Sequence, residues 1–243
     1  MNKRYILITL AVLLLSCQTR KNKVKDDLQS VSPEKTIKRW VETNVLTSNN
    51  LPKIEIKVDN EFRFMGQFDF EILASSSEHP EDMQGKPVAA GERYIFARVD
   101  ENRSVDKLFI VQFEGFLPEN DFIYNYNFSN ADSIGENRYR HNTWFYDSKK
   151  LARENPNGEG AKTRAFLEGK GYLLEDEFMM SRFVGLASED RKNEIIIYYL
   201  EMLNKTTGIS LEEYENSISD EKAKSIRTSF IGRSRKSFDI TKG

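Results

Sequence analysis

The sequence has few of the residues that most often form metal sites and reactive centres. Its 243 residues include one cysteine and two histidines. A single cysteine cannot form a disulfide within the chain, and thiolate zinc sites need several. The GxSxG, HExxH, Walker and GxGxxG patterns are also missing. We therefore predict neither a metal nor a cofactor.

The charges exclude another class of function. The 36 Lys and Arg residues are balanced by 38 Asp and Glu residues, which gives a net charge of -2. Proteins that bind nucleic acid usually carry a clustered basic excess, so we expect no nucleic-acid partner. Hydrophobic residues make up 39% of the chain and aromatic residues 12%, which predicts a packed core rather than disorder.

The N-terminus has the layout of a secretory signal peptide. Lys3 and Arg4 are followed by an apolar or neutral run from Tyr5 to Ser16. A helix that spans a bilayer needs about 20 apolar residues, so this run is too short for a permanent anchor. Residues 1–16 are the predicted signal peptide.

The only cysteine lies directly after this run. The stretch Leu14-Leu15-Ser16-Cys17 resembles the lipobox of bacterial lipoproteins. The resemblance implies cleavage before Cys17, acylation of its sulfur and attachment to a membrane through the lipid. A plain signal peptide with a stray cysteine, or an uncleaved anchor, are the alternatives.

The residues around the anchor favour one location. Gln18 stands where the inner-membrane retention signal of that family typically has an aspartate, so the outer membrane is favoured. The following TRKNKVK is basic, whereas some surface-export signals are acidic, and this favours the periplasmic face. Residues 17–35 are polar and lack apolar periodicity, so we interpret them as a flexible tether.

Residues 36–243 are predicted to form one α+β domain with a mostly antiparallel sheet, because runs of strands precede the C-terminal helices. An N-terminal helix is expected over Pro33–Val45. Ser210 and Glu213 form a capping-box pattern, and Gly66 suggests a bulge. The expected strands are KIEIKV, EFRFMGQFDFEIL, a hairpin of RYIFARV with KLFIVQFE, FIYNYNF (Phe122–Phe128), YRHNTWFY, and a hairpin of EFMMSRFVGL with EIIIYYLEML.

One histidine could serve in catalysis. His141 lies among aromatic residues, and its ordinary pKa near neutrality suits a general base. Glu114 or Asp147 could orient it. The alternative is a structural histidine packed among aromatic rings.

A second set of residues could bind a ligand. Arg182 interrupts an apolar strand, and Glu194 begins the facing strand, so the two are expected to lie nearly opposite each other. Tyr124, Tyr126 and Trp144 belong to an aromatic stripe that could stack on sugar rings or contact a hydrophobic partner. The alternatives are a cross-strand ion pair and ordinary core packing.

These observations favour a lipid-anchored envelope protein that works by binding. Its partner would be an envelope protein, a glycan or another ligand, in addition to the membrane reached through Cys17. An envelope hydrolase that uses His141 and a structural assembly factor are the rival interpretations.

Overall fold

The computed structural model describes residues 36–75 and 79–241, and these residues form two antiparallel sheets and five α-helices. The predicted signal peptide, the tether and Cys17 lie outside the described residues. In the described part of the chain, no helix has the length and apolar character needed to cross a membrane.

The smaller sheet has four strands in the order β1-β2-β3-β11. Their bounds are β1 Arg39–Glu42, β2 Val45–Asn49, β3 Lys53–Val58 and β11 Phe238–Thr241. The chain's last described strand therefore pairs with strands from the beginning of the domain. Residues almost 200 positions apart in sequence share this sheet.

The predicted N-terminal helix is wrong for the residues that are described. Residues 39–42 and 45–49 form a hairpin in which Glu42 pairs with Val45. Thr43 has a φ of 55°, which lets the chain reverse in a tight turn. The segment RWVE also alternates between more and less buried residues, and this period-two pattern fits a strand.

The larger sheet has seven strands in the order β4-β5-β6-β10-β9-β8-β7. Both predicted hairpins, β5 with β6 and β9 with β10, are confirmed, as is the irregularity at Gly66. Strand β10 is central, which accounts for its nearly continuous apolar sequence. The bounds are β4 Arg63–Leu73, β5 Pro87–Val99, β6 Val105–Phe116, β7 Asp132–Ile134, β8 Asn137–Asp147, β9 Glu177–Leu186 and β10 Asn193–Met202.

The predicted strand Phe122–Phe128 is wrong. The segment belongs to neither sheet, although Tyr124 and Tyr126 stack with centroids 5.8 Å apart. Side-chain hydrogen bonds from Arg191 hold the segment in place of a strand ladder. Arg191 Nε donates to the carbonyl oxygen of Tyr124 at 2.8 Å, and Nη2 donates to that of Tyr126 at 3.2 Å.

Helices mostly follow the strands in sequence. Their bounds are α1 Ser148–Glu154, α2 Glu159–Gly169, α3 Leu203–Thr207, α4 Leu211–Asn216 and α5 Asp220–Lys236. The predicted capping box of Ser210 and Glu213 is confirmed at the start of α4. A short 3₁₀ turn spans Glu81–Met83.

The larger sheet buries side chains on both faces. One face packs against the smaller sheet and α5 through Phe109, Phe183, Tyr199 and Phe230. The other face packs against α2 through Ile95 and Leu167. The second face contains the polar side chains considered next.

Candidate functional site

A set of polar side chains lies on the α2-facing side of the larger sheet. The register pairs Arg93 with Gln112, Glu114 with Glu194, and Tyr198 with Arg182. Residues paired in this way point to the same face, and residues two apart on a strand do so too. Four adjacent strands, β5, β6, β10 and β9, therefore contribute to one polar surface.

Two glutamates form the centre of this surface. Glu114 and Glu194 are direct cross-strand neighbours, and both are buried. Burial raises the pKa of Glu194 to about 9, and the hydrogen bond and negative charge of Glu114 add to the increase. Glu194 therefore keeps its proton at neutral pH, which avoids placing two ionised carboxylates side by side.

Tyrosines cover the two carboxyl groups. The Tyr124 hydroxyl donates to Glu114 Oε1 at 3.1 Å. The Tyr126 hydroxyl lies within hydrogen-bonding reach of both the Glu194 carboxyl and the Arg182 guanidinium. Burial raises the pKa of both tyrosines, so both remain neutral hydrogen-bonding groups.

Arg93 occupies the other end of the surface. Its Nε donates to Gln112 Oε1 at 2.7 Å, and Gln112 Nε2 in turn donates to Glu114. The Arg93 guanidinium also lies 5.1 Å from the centre of the Tyr198 ring. Arg182 in turn interacts with the Tyr198 hydroxyl, so the contacts between these side chains form a closed ring. We call this set the polar ring; its members are Arg93, Gln112, Glu114, Glu194, Tyr126, Arg182 and Tyr198.

A cleft of about 410 Å³ opens beside Arg93 and Tyr198, between the sheet and the pair of helices α1 and α2. Such a volume is in the range of small-molecule sites. Trp144 and Leu151 line it and are 40% and 49% exposed, so they mark its mouth. Most of the lining is apolar; it includes Leu108, Ile110, Leu174, Phe178, Met180 and Leu200.

A larger depression of about 1110 Å³ follows the edge strand β4. Asp69, Glu71 and Glu92 contribute carboxyl groups to it, and Glu114 lies in its wall. We place the candidate site in the smaller cleft, because small-molecule sites combine mainly apolar walls with a few converging polar groups.

Five residues singled out from the sequence meet in one place: Glu114, Tyr124, Tyr126, Arg182 and Glu194. Trp144 lies apart from them at the mouth of the cleft. The expectation that Arg182 and Glu194 lie nearly opposite each other is wrong, because Glu194 pairs with Leu186 and Arg182 with Tyr198. Tyr126 connects the two side chains across this offset.

The catalytic candidates do not meet. His141 stacks on Phe183 with centroids 4.3 Å apart, on the face opposite to Glu114, and Asp147 accepts a hydrogen bond from Lys150 N as the N-cap of α1. Burial lowers the pKa of His141; Asp132 partly offsets this effect, and Arg235 adds to it.

His141 nevertheless has two other polar neighbours. Its Nε2 lies 2.9 Å from Ser181 Oγ and its Nδ1 lies 3.4 Å from Asp132 Oδ2. This order of groups resembles the arrangement in serine hydrolases. However, Ser181 is 0% exposed and lies within a strand. A substrate carbonyl cannot reach a completely buried hydroxyl, so the arrangement is structural.

Sequence reasoning missed three members of the polar ring: Arg93, Gln112 and Tyr198. Arg93 and Gln112 interrupt apolar strands, as Arg182 does, and this signal could have identified them. Tyr198 gave no such signal, because a tyrosine in an apolar strand is ordinary core. In the described ranges, no group of three or more His, Cys, Asp or Glu side chains could hold a metal ion.

Comparison of the chain with protein-family models, with curated proteins and with solved structures finds no match.

Proposed function

We propose that this chain is an envelope protein that binds a small amphipathic ligand in the cleft between the larger sheet and helices α1 and α2. The observation that carries the proposal is the combination of a mainly apolar cleft with two members of the polar ring, Arg93 and Tyr198, in its lining. Hydrophobic walls provide affinity, and the few buried polar groups orient the ligand.

Binding is better supported than catalysis. His141 and Ser181 are removed from the cleft, on the opposite face of the sheet. The hydrolase interpretation has no assembled site in its favour, because His141 and Glu114 lie on opposite faces of the larger sheet.

Two glycines of α2 offer a matched test of the cleft. Gly160 lines the cleft and Gly169 does not, yet a Cβ added at either position meets nothing within 4 Å. We expect Gly160→Leu to fill the cleft and to weaken binding of the small uncharged dye 1-aminoanthracene at least tenfold. Gly169→Leu should leave the affinity unchanged.

The measurement uses fluorescence from the cleft itself. In a Cys17→Ala, Trp40→Phe background of the full chain, Trp144 is the only tryptophan, and quenching by the dye reports binding near it. Circular dichroism checks that both leucine variants fold. Equal dye affinity of the two variants, or no saturable quenching in the parent chain, contradicts the proposed function.

We propose further that the chain is anchored by lipid on Cys17 to the outer membrane, with the domain in the periplasm. We expect Cys17→Ala to move the chain from the membrane fraction to the soluble fraction, because burial of acyl chains contributes about 0.8 kcal/mol per CH₂. Fractionation of cells that express each form measures this. Cys17→Ala chain retained in the membrane to the same extent as the parent rules out the lipid anchor.

A further inference from the structure

We propose that the ligand of the cleft is an organic acid with an apolar tail, held by its carboxylate at Arg93 and Arg164. This inference rests on the proposed function and adds the chemical class of the ligand.

Arg93 is a buried cation without a buried anion beside it. Its residue is 5% exposed, and among the ion pairs of the described residues none involves Arg93. Its three hydrogen bonds go to uncharged oxygens: Gln112 Oε1 at 2.7 Å, Thr163 Oγ1 at 2.7 Å and the Glu159 carbonyl at 2.8 Å. Buried charges are normally paired with an opposite charge, so we expect the ligand to supply the anion that Arg93 lacks.

Arg164 provides a second guanidinium to the same cleft. Its side chain is 11% exposed, and its Nε atom is buried with no hydrogen-bond partner in the described part of the chain. Its Nη atoms are occupied, with Glu168 Oε1 at 3.0 Å and Ser148 Oγ at 2.7 Å. An unpartnered buried N–H in the lining of a cleft is a place for an acceptor.

Tyr146 lines the cleft together with the two cations. Its hydroxyl is close enough to both Arg93 and Arg164 for their charges to act on its pKa, which burial nonetheless raises. Tyr146 therefore stays a neutral donor. The first turn of α2 lines the cleft as well and carries one carboxylate, that of Glu159. The two guanidinium groups and the Tyr146 hydroxyl are donors that favour a ligand carboxylate beside them.

The size of the cleft limits the ligand. A volume of about 410 Å³ holds roughly 14 heavy atoms, if each takes up about the 30 Å³ of a water molecule in the liquid. A ten-carbon acid has twelve heavy atoms. Arg164 is already partly balanced by Glu168 and, at 3.6 Å, by Asp176. Arg93 is therefore the cation of the cleft that has no ion pair among the described residues, and one ligand carboxylate balances it.

The probe is ω-bromodecanoate, whose bromine quenches tryptophan when the tail reaches Trp144 at the mouth. The matched compound is ω-bromodecanol, which has the same tail and an uncharged head. In the full chain with Cys17→Ala and Trp40→Phe, we expect saturable quenching by the acid at a concentration at least tenfold lower than by the alcohol. Arg164→Gln should remove most of this preference, as should Arg93→Gln if it folds.

Arg235→Gln is the control, because Arg235 pairs with Asp132 on the other face of the sheet; it should keep the preference. Equal affinities for acid and alcohol overturn the inference and leave the cleft as a site for an uncharged ligand. A preference that persists in Arg164→Gln and Arg93→Gln also overturns it. No saturable quenching by either compound, together with no cleft-dependent binding of 1-aminoanthracene, removes the proposed function as well.

Discussion

Replacement of Glu201 by glutamine is expected to destabilise the domain by about 2 kcal/mol, within the range for hydrogen bonds to a charged group, because Glu201 is buried while the Arg233 side chain is 39% exposed. Glu201 is 0% exposed on the central strand β10. Its Oε1 accepts from Arg233 Nε at 2.7 Å and its Oε2 from Arg233 Nη2 at 2.6 Å. The Tyr199 hydroxyl also donates to Oε1. The side-chain NH₂ of a glutamine would face the Arg233 guanidinium, which has only donors, so one of these hydrogen bonds is lost.

The bidentate pair connects α5 to the centre of the larger sheet, so its loss affects the packing of the C-terminal helix as a whole. Urea unfolding followed by circular dichroism measures the free energy of unfolding. Glu168→Gln is the matched control, because it breaks a half-exposed pair within α2 that contributes about 0.5 kcal/mol or less. Equal losses for the two variants contradict the assigned role of Glu201.

Replacement of Glu194 by glutamine is expected to have the opposite sign. The pKa of Glu194 is raised to about 9 in the folded protein, so the folded state holds a proton that the unfolded state releases above about pH 4.5. This glutamate therefore lowers the stability as the pH rises from about 4.5 to 9. The slope for one proton is at most about 1.4 kcal/mol per pH unit. Glutamine has nearly the same shape, does not titrate, and should flatten the curve.

The difference between the two chains should therefore grow with pH. Thermal or urea unfolding at several values from pH 5 to pH 8 measures it. Glu189→Gln is the control, because Glu189 is an exposed glutamate in the turn of the same hairpin; its curve should run parallel to that of the parent. A parallel curve for Glu194→Gln as well contradicts the protonated state.

The two glutamates of β10 thus differ in what they contribute. Glu201 has a cation beside it and stabilises the fold. Glu194 faces Glu114 and costs stability above about pH 4.5, because folding then requires it to take up a proton. A feature that costs stability and belongs to the network beside the candidate site has a functional explanation more often than a structural one. This supports a role for the polar ring in orienting the ligand.

Sequence patterns located part of the candidate site but not its geometry. A charged residue in an apolar strand, as at Arg182, is visible in the sequence, and so is the aromatic alternation of Tyr124 and Tyr126. Their meeting point with Glu114 depends on the order in which β6, β10 and β9 pair. Only the packing of the segment Phe122–Phe128 against the sheet brings Tyr126 to both Arg182 and Glu194. The cleft also depends on α1, a helix that the sequence patterns did not predict.

By itself, the sequence determined the features that depend on neighbouring residues. The alternation of apolar residues and the turns between them predicted both hairpins of the larger sheet, and Ser210 with Glu213 predicted the start of α4, because these signals act over a few positions. The tertiary structure decided what depends on distant residues. It made β1 a strand by pairing it with β2. It left Phe122–Phe128 outside the sheets, where Arg191 donates hydrogen bonds to its backbone. It also paired β11 with β3, which lies near the other end of the domain in sequence. At these positions, distant segments gain backbone hydrogen bonds and buried area when they pair. These gains outweigh the local conformational preference, and they cannot be read from neighbouring residues in the sequence.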